Sequence, residues 1–320
     1  MNKNYNSNRT SIIPMWKSMF TVIVMLITVA ISNAQVNTNS GSGLNPTYPD
    51  LASAITALNA ATITSPVTIT LTGNETAPVG GYSITVQGTA TNTIHIQGNS
   101  SVITASGALV AGTITDAIFK LVGADYVTLQ NFTMQENVAN VTTAAATNNM
   151  TEWGVALLYA TTTNGAQNNT IQNNIISLNR VYQNTFGIYS NSTHSAIDAI
   201  TAATATTVTG GNHVLKIYTN AISNVNNGIV VVGPTAIADQ NTGLDIGGSS
   251  LVMANTITNY GTTGTFSAYA NVSGSVNGIL VKNSNGTNIS YNTVTSSVGG
   301  VTAGNLNGIQ VAASDRKSVV

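Results

Sequence analysis

The chain has 320 residues, a formal net charge of −1, no cysteine, and only 6% charged residues. A globular domain ordinarily carries about 25% Asp, Glu, Lys and Arg, so charged amphipathic helices are not what builds this surface, and disulfides, thiolate metal sites and cysteine nucleophiles are all excluded. An apolar share of 42% equally excludes a disordered tail.

The N-terminus reads as an export signal. Lys3, Arg9 and Lys17 form a basic n-region, and Met19 to Ile31 is an apolar stretch too short to span a bilayer comfortably. Ser32-Asn33-Ala34 is a small-residue cleavage site, which places the cut between Ala34 and Gln35, an uncleaved anchor being the alternative. Beyond the cut, and with the last six residues set aside, Lys120, Arg180, Lys216 and Lys282 face nine acids. That dilute, mildly acidic balance is not that of a nucleic-acid binder, and no transmembrane span is expected in the mature chain.

Residues 35–47, rich in Asn, Ser and Gly, read as a polar linker. Asp50 opens a short helix running to Ala60, with Leu51, Ile55 and Leu58 on one apolar stripe. Short alternating runs follow at Val67–Leu71, Tyr82–Val86, Ile94–Ile96, Ala117–Val122 and Tyr126–Leu129, punctuated by Gly and Asn as strands are. Further on, Asn227-Gly228-Ile229-Val230-Val231 returns as Asn277-Gly278-Ile279-Leu280-Val281 and as Asn307-Gly308-Ile309-Gln310-Val311. Gly154-Val155 and Gly187-Ile188 are weaker copies of the same phrase. A second phrase, β-branched-x-x-Asn-x-β-branched, recurs at Ile171/Asn174/Ile176, Ile217/Asn220/Ile222, Val252/Asn255/Ile257 and Ile289/Asn292/Val294. The uneven spacing of the copies implies insertions at the corners of a coil, best placed at His194–Gly211 and Pro234–Gly248.

Self-similarity of this kind marks a repeat architecture. The connections lack a helical period, so strands that stack in parallel must return by coiling, with a right-handed crossover as the default. The expected fold is therefore all-β, a right-handed parallel β-helix over residues 48–314 with a short N-terminal capping helix. Gly and Asn would form its corners. Asn174, Asn220, Asn255 and Asn292 would stack as a structural ladder, each amide serving its neighbour. A row of carbohydrate-binding amides is the functional alternative. The segment Asp315-Arg316-Lys317-Ser318-Val319-Val320 departs from the preceding style and matches what a widely used sequencing adapter encodes, so the protein is expected to continue past Ser314.

From Tyr48 onward the chain resembles the pectin-lyase-like, right-handed parallel β-helix superfamily, and in detail the large secreted β-helix proteins of the Bacteroidetes. The resemblance rests on Asp50-Leu51-Ala52-Ser53-Ala54-Ile55, on Asn92-Thr93-Ile94-His95-Ile96-Gln97-Gly98, and on the run from Ala117 to Phe132. It implies an extracellular or outer-surface location, and often a C-terminal sorting domain of the type IX secretion pathway, which is not present in this sequence.

The motifs for chemistry are sparse. A glycosidase needs two carboxylates facing across one bond, but Asp116, Asp125, Glu136, Glu152, Asp198, Asp239 and Asp245 are scattered along the sequence. Asp239, Asn241 and Asp245 offer oxygen ligands without a calcium-loop spacing, and a solvated loop is expected there. Arg180, beside Asn179 and Tyr182, reads as an exposed corner residue. His95, His194 and His213 are far apart and read as satisfied strand or surface residues. No nucleophile elbow, phosphate loop or zinc motif occurs. Neither catalytic residues nor a cofactor are assigned. The expectation is a secreted or cell-surface scaffold of the adhesin type, with extracellular polysaccharide or a cell surface as partner. A polysaccharide lyase or glycoside hydrolase is the alternative.

Overall fold

The computed structural model describes Met1 and residues 35–144, 146–191, 204–261, 276–296 and 305–312. The chain divides into two compact units, Met1–Ala34 and Gln35–Val320. The export signal up to Ala34, His194, Asp198 and the final hexapeptide lie outside the described residues. No described helix is long and apolar enough to cross a membrane.

The second unit opens with β1 (Val36–Thr38), β2 (Thr47–Tyr48) and helix α1 (Leu51–Ala60). Among the described residues, seven successive rungs of three strands follow. They are β3 (Val67–Leu71), β4 (Glu75–Thr76) and β5 (Tyr82–Ile84); then β6 (Ile94–Gln97), β7 (Val102–Thr104) and β8 (Ala117–Val122). Next come β9 (Val127–Gln130), β10 (Thr133–Gln135) and β11 (Trp153–Leu158), and β12 (Thr170–Gln172), β13 (Ile175–Ser177) and β14 (Phe186–Ser190). The fifth rung is β15 (Lys216–Tyr218), β16 (Ala221–Val225) and β17 (Asn227–Val232). The sixth, after β18 (Asn241–Thr242), is β19 (Asp245–Ile246), β20 (Thr256–Tyr260) and β21 (Val276–Lys282). The last, after β22 (Ser284–Asn285), is β23 (Asn288–Ile289), β24 (Thr293–Ser296) and β25 (Leu306–Ala312). The first strands of the rungs form sheet A, the second sheet B and the third sheet C, parallel throughout except where β1 pairs antiparallel with β2 and β3. This all-β stack of parallel strands is the arrangement of a parallel β-helix.

Strand periodicity explains the stacking. In β3 the side chains of Val67, Ile69 and Leu71 are buried and those of Thr68 and Thr70 face out, as alternation in a half-buried strand requires. Register then places like on like. Ile69, Ile96, Leu129, Ile171, Ile217, Ile246 and Ile289 form one column of sheet A. Ile103, Met134, Ile176, Ile222, Ile257 and Val294 form the matching column of sheet B. All but the half-buried Val294 are fully enclosed, and each such side chain contributes about 1.5–3 kcal/mol. Helix α1 adds Leu51, Ala54, Ile55 and Leu58 to this core. Asp50 caps it by accepting from the Ser53 N–H at 2.7 Å, and the Glu75 carboxylate takes the Leu51 N–H at 3.0 Å, both acids sitting at the positive end of the helix.

Four expectations are corrected. Residues 35–47 are no linker: β1 pairs with β3, Val36 and Leu44 are buried, and the polar residues serve tight turns, with Ser40 and Ser42 at φ 56. Pro234–Gly248 is not an excursion outside the coil, since β18 and the sheet A strand β19 lie within it. Ile246, not Val252, fills the sheet A position of that rung; Val252 is 81% exposed. Finally, the glycines of the Asn-Gly-Ile phrase do not make corners. Gly154, Gly187, Gly228 and Gly278 lie inside strands of sheet C, where a Cβ would sit 2.6, 2.4, 2.7 and 2.2 Å from side-chain carbons of Ile176, Ile222, Ile257 and Val294. They are glycine because sheet B passes too close for any side chain. The left-handed positions fall instead on residues such as Asn131, Asn173 and Thr219, at the sharp corner from sheet A to sheet B.

Candidate functional site

Asp116, Glu136 and Glu152, scattered in sequence, come near one another at the corner that leads into sheet C. Trp153 pairs with Ala117 on one side and with Phe186 on the other. The residues immediately before them, Asp116, Glu152 and Thr185, therefore stack on successive rungs. The Glu152 N–H donates to the Asp116 carbonyl at 3.0 Å, and the Phe186 N–H to the Glu152 carbonyl at 2.7 Å. This overturns the reading of the acids as dispersed. Alignment on the Gly154 and Gly187 copies of the repeat would have placed Glu152 above Thr185, because each stands two residues before its glycine. Asp116 has no such glycine to mark it.

Glu152 is fully buried. Its Oε2 accepts from the Asp116 N–H at 2.8 Å, and its Oε1 accepts from the Tyr182 hydroxyl at 2.8 Å, to which Asn184 Nδ2 also donates at 3.2 Å. Loss of solvation holds its carboxyl well above the usual range, and the neighbouring Asp116 and Glu136 push it the same way. Burial also raises Asp116, which takes a bond from the Thr113 hydroxyl, and lowers the ammonium of Lys120 despite both Asp116 and Glu152 nearby. Glu136, raised by burial as well, accepts from Asn140 Nδ2 at 2.7 Å, from the Asn137 N–H at 2.9 Å, and from both the N–H and the hydroxyl of Thr151 at 2.9 Å. It ties both ends of the segment between β10 and β11 together.

Trp153 stacks on Tyr189 at 5.1 Å with a 5° interplanar angle, and Phe186 tilts against Tyr189 at 5.6 Å. Carboxyl groups beside aromatic rings are the equipment of carbohydrate chemistry. Here, however, Trp153, Tyr182, Phe186 and Tyr189 belong to a second buried apolar cluster on the outer side of sheet C, with Ala156, Val230 and Leu280. Each oxygen of Glu152 and Glu136 already accepts a hydrogen bond from its own chain. The arrangement fastens loops to the rungs and keeps inside a carboxyl whose pKa burial raises. Among the described residues no group of three or more His, Cys, Asp or Glu is placed to hold a metal.

The corner between sheets A and B brings Asn174, Asn220, Asn255 and Asn292 into one column. Asn174 Nδ2 donates to Asn220 Oδ1 at 3.1 Å, Asn220 Nδ2 to Asn255 Oδ1 at 3.0 Å, and Asn255 Nδ2 to Asn292 Oδ1 at 2.8 Å. Each Oδ1 also takes the backbone N–H of the residue one rung below. The remaining amide protons go to the carbonyls of Leu129, Ile171, Ile217 and Ile246 in sheet A. Gln35, on the mature side of the expected cleavage, directly precedes β1, and its carbonyl accepts from the Thr72 N–H at 2.7 Å.

A second amide column, which the sequence reading missed, runs on the outer face of sheet A. Gln172 Nε2 donates to Gln130 Oε1 at 2.7 Å, Gln130 Nε2 to Gln97 Oε1 at 3.1 Å, and Gln97 Nε2 to Thr70 Oγ1 at 2.9 Å. Its signal was the recurrent aliphatic-Gln pair Ile96-Gln97, Leu129-Gln130 and Ile171-Gln172.

The other singled-out residues serve the fold. Arg180 is 8% exposed, not a solvated corner, and its guanidinium reaches Asn259 Oδ1. His213 is buried, with Nδ1 at 3.0 Å from the Thr242 hydroxyl and Nε2 facing the Val208 carbonyl. Asp245 accepts from the Tyr218 hydroxyl, the Gly248 N–H and Asn288 Nδ2. Asp125 takes the Gln167 N–H, and burial pushes its carboxyl up to about 6. No family model matches the chain, and neither a curated protein nor a solved structure matches it.

Proposed function

We propose that the protein is a secreted or outer-surface scaffold of the adhesin type, built as a right-handed, pectin-lyase-like β-helix whose first rung is covered by α1, and that it holds extracellular polysaccharide or a cell surface. One observation carries this reading. The carboxyl groups near sheet C are consumed by the fold, while from β3 to β12 the outer face of sheet A repeats uncharged amides, hydroxyls and one imidazole, and sheet B sets Thr104, Gln135 and Ser177 in register. The test uses the full chain, tagged and expressed in its own source. Protease shaving of intact cells should remove it, and the purified protein should bind polysaccharide without releasing reducing or unsaturated ends. A protein retained inside the cell would overturn the proposal.

A second reading, a carbohydrate-active enzyme, draws on the juxtaposition of Asp116, Glu152, Lys120 and Tyr182 beside Trp153. It requires chain cleavage that disappears in Glu152→Gln while the fold persists.

A further inference from the structure

We propose that the outer column Gln97-Gln130-Gln172 on sheet A, with Thr70 below it and Tyr218 above, is a binding site for a neutral, hydroxyl-rich polysaccharide chain lying along the stack. This rests on the adhesin reading and assigns it a place and a ligand class.

Register sets the geometry. Thr70, Gln97, Gln130, Gln172 and Tyr218 occupy equivalent positions of β3, β6, β9, β12 and β15. Adjacent strands in a sheet lie about 4.8 Å apart, so the column offers one amide per rung at a regular repeat. The parallel column two residues earlier holds Thr68, His95, Thr128 and Thr170. All eight of these Thr, Gln and His side chains are half-buried, with their outer edges facing solvent.

Bond counting says what such a face can hold. A Gln side chain has two N–H donors and a carbonyl with two lone pairs. The column uses one donor of each Gln and one lone pair each of Gln97 and Gln130. A donor and an acceptor therefore remain side by side on each rung, already held in place by the amides above and below. Sugar hydroxyls both give and take hydrogen bonds, so each rung complements one. Pre-ordered amides lose little side-chain freedom on binding. Tyr218, anchored through its hydroxyl on Asp245 at 2.7 Å, adds a ring at one end for a pyranose face.

Charge selects the class. From β3 to β12 these two columns carry no carboxylate, ammonium or guanidinium; Lys216 and Asp245 first appear in β15 and β19. An anionic polymer would find no cations to pair with along those four rungs. Sheet B offers a contrast, since the register neighbours of Gln135 are Thr104 and Ser177 rather than other glutamines, and it donates to Thr104 at 3.0 Å.

The test is affinity electrophoresis of the full chain in gels holding hydroxyethyl cellulose, xylan, or polygalacturonate. The expected result is retardation by the neutral polymers and none by polygalacturonate. Gln130→Ala removes about two hydrogen bonds and should weaken retention about tenfold; the triple variant Gln97→Ala/Gln130→Ala/Gln172→Ala should abolish it. Gln135→Ala should bind as the parent does. Circular dichroism and melting temperature confirm that each variant is folded. Retention by polygalacturonate alone, or neutral-polymer retention that survives the triple variant, overturns the site and leaves the adhesin reading standing. Binding to no polymer overturns both the site and the polysaccharide part of that reading.

Discussion

Replacing Asn255 with Leu probes the inner amide column where it is fully enclosed. Asn255 Oδ1 receives the backbone N–H and the Nδ2 of Asn220, both at 3.0 Å, and its Nδ2 serves Ile217 O and Asn292 Oδ1, both at 2.8 Å. Leu has a similar shape and creates no large void, so the loss is mostly polar. Three of the four partners keep another bond: Asn220 Nδ2 retains Ile171 O, Ile217 O retains the Gly247 N–H, and Asn292 Oδ1 retains the backbone N–H of residue 255. The Asn220 N–H alone is orphaned, at a cost of about 1–3 kcal/mol, and each lost bond elsewhere costs about 0.5–1.5 kcal/mol. After an offset of about 1–2 kcal/mol for the buried Leu methyls, the expected loss centres on about 3–4 kcal/mol. Urea melts at fixed m-value measure it. Asn255→Asp supplies a sign check. Its carboxylate would keep the Asn220 bonds but oppose Ile217 O and Asn292 Oδ1, so its folded pKa lies above the unfolded one. The variant should then recover stability as pH falls. A change under about 0.5 kcal/mol for Asn255→Leu, or an Asp variant that weakens on acidification to pH 5, would refute the reasoning.

Gly228→Ala should cost about 2–4 kcal/mol, since its Cβ would stand 2.3 Å from Gly278 O; Gly308→Ala, in the same phrase but with open space around it, should stay within about 0.5 kcal/mol, both read from urea midpoints. Glu152, Glu136, Asp116, Asp125 and Glu75 all have folded pKa values raised by burial, so their stabilising contribution is present at low pH and fades as pH rises through those values. The melting temperature should therefore fall between pH 4.5 and 7.5, less steeply in Glu152→Gln; a rise across that range contradicts the account. Thr219 holds φ 54, a conformation that costs a β-branched residue about 1–2 kcal/mol and Asn much less. Thr219→Asn should raise the melting temperature, and a lower value counts against strain at that corner.

The architecture was legible because its physics is local and repeated. Ile and Val at every second position had to face one core, and an Asn recurring two residues before a β-branched residue had to find partners on its neighbours. The glycine of the Asn-Gly-Ile phrase was legible as a letter but not as a reason. Its meaning lies in Ile176, Ile222, Ile257 and Val294 on another sheet. Corner lengths hid the acid cluster. Asp116 and Glu152 are 36 residues apart, and a sequence cannot say which of those residues leave the rung. Val36 and Leu44 were hidden differently: two apolar residues in a run of Asn, Ser and Gly make no period, yet they suffice once β3 offers an edge.

The unequal rungs have a mechanical consequence. Partners on successive rungs are separated by 27, 33, 42, 46, 35 and 37 residues. Tension applied along the axis would peel one rung at a time, because each contacts mainly its neighbours. A released rung yields roughly 90–150 Å of extended chain at about 3.3 Å per residue. The stack would then behave under load as a series of fuses of unequal length, lengthening in steps while the rungs still in place hold on.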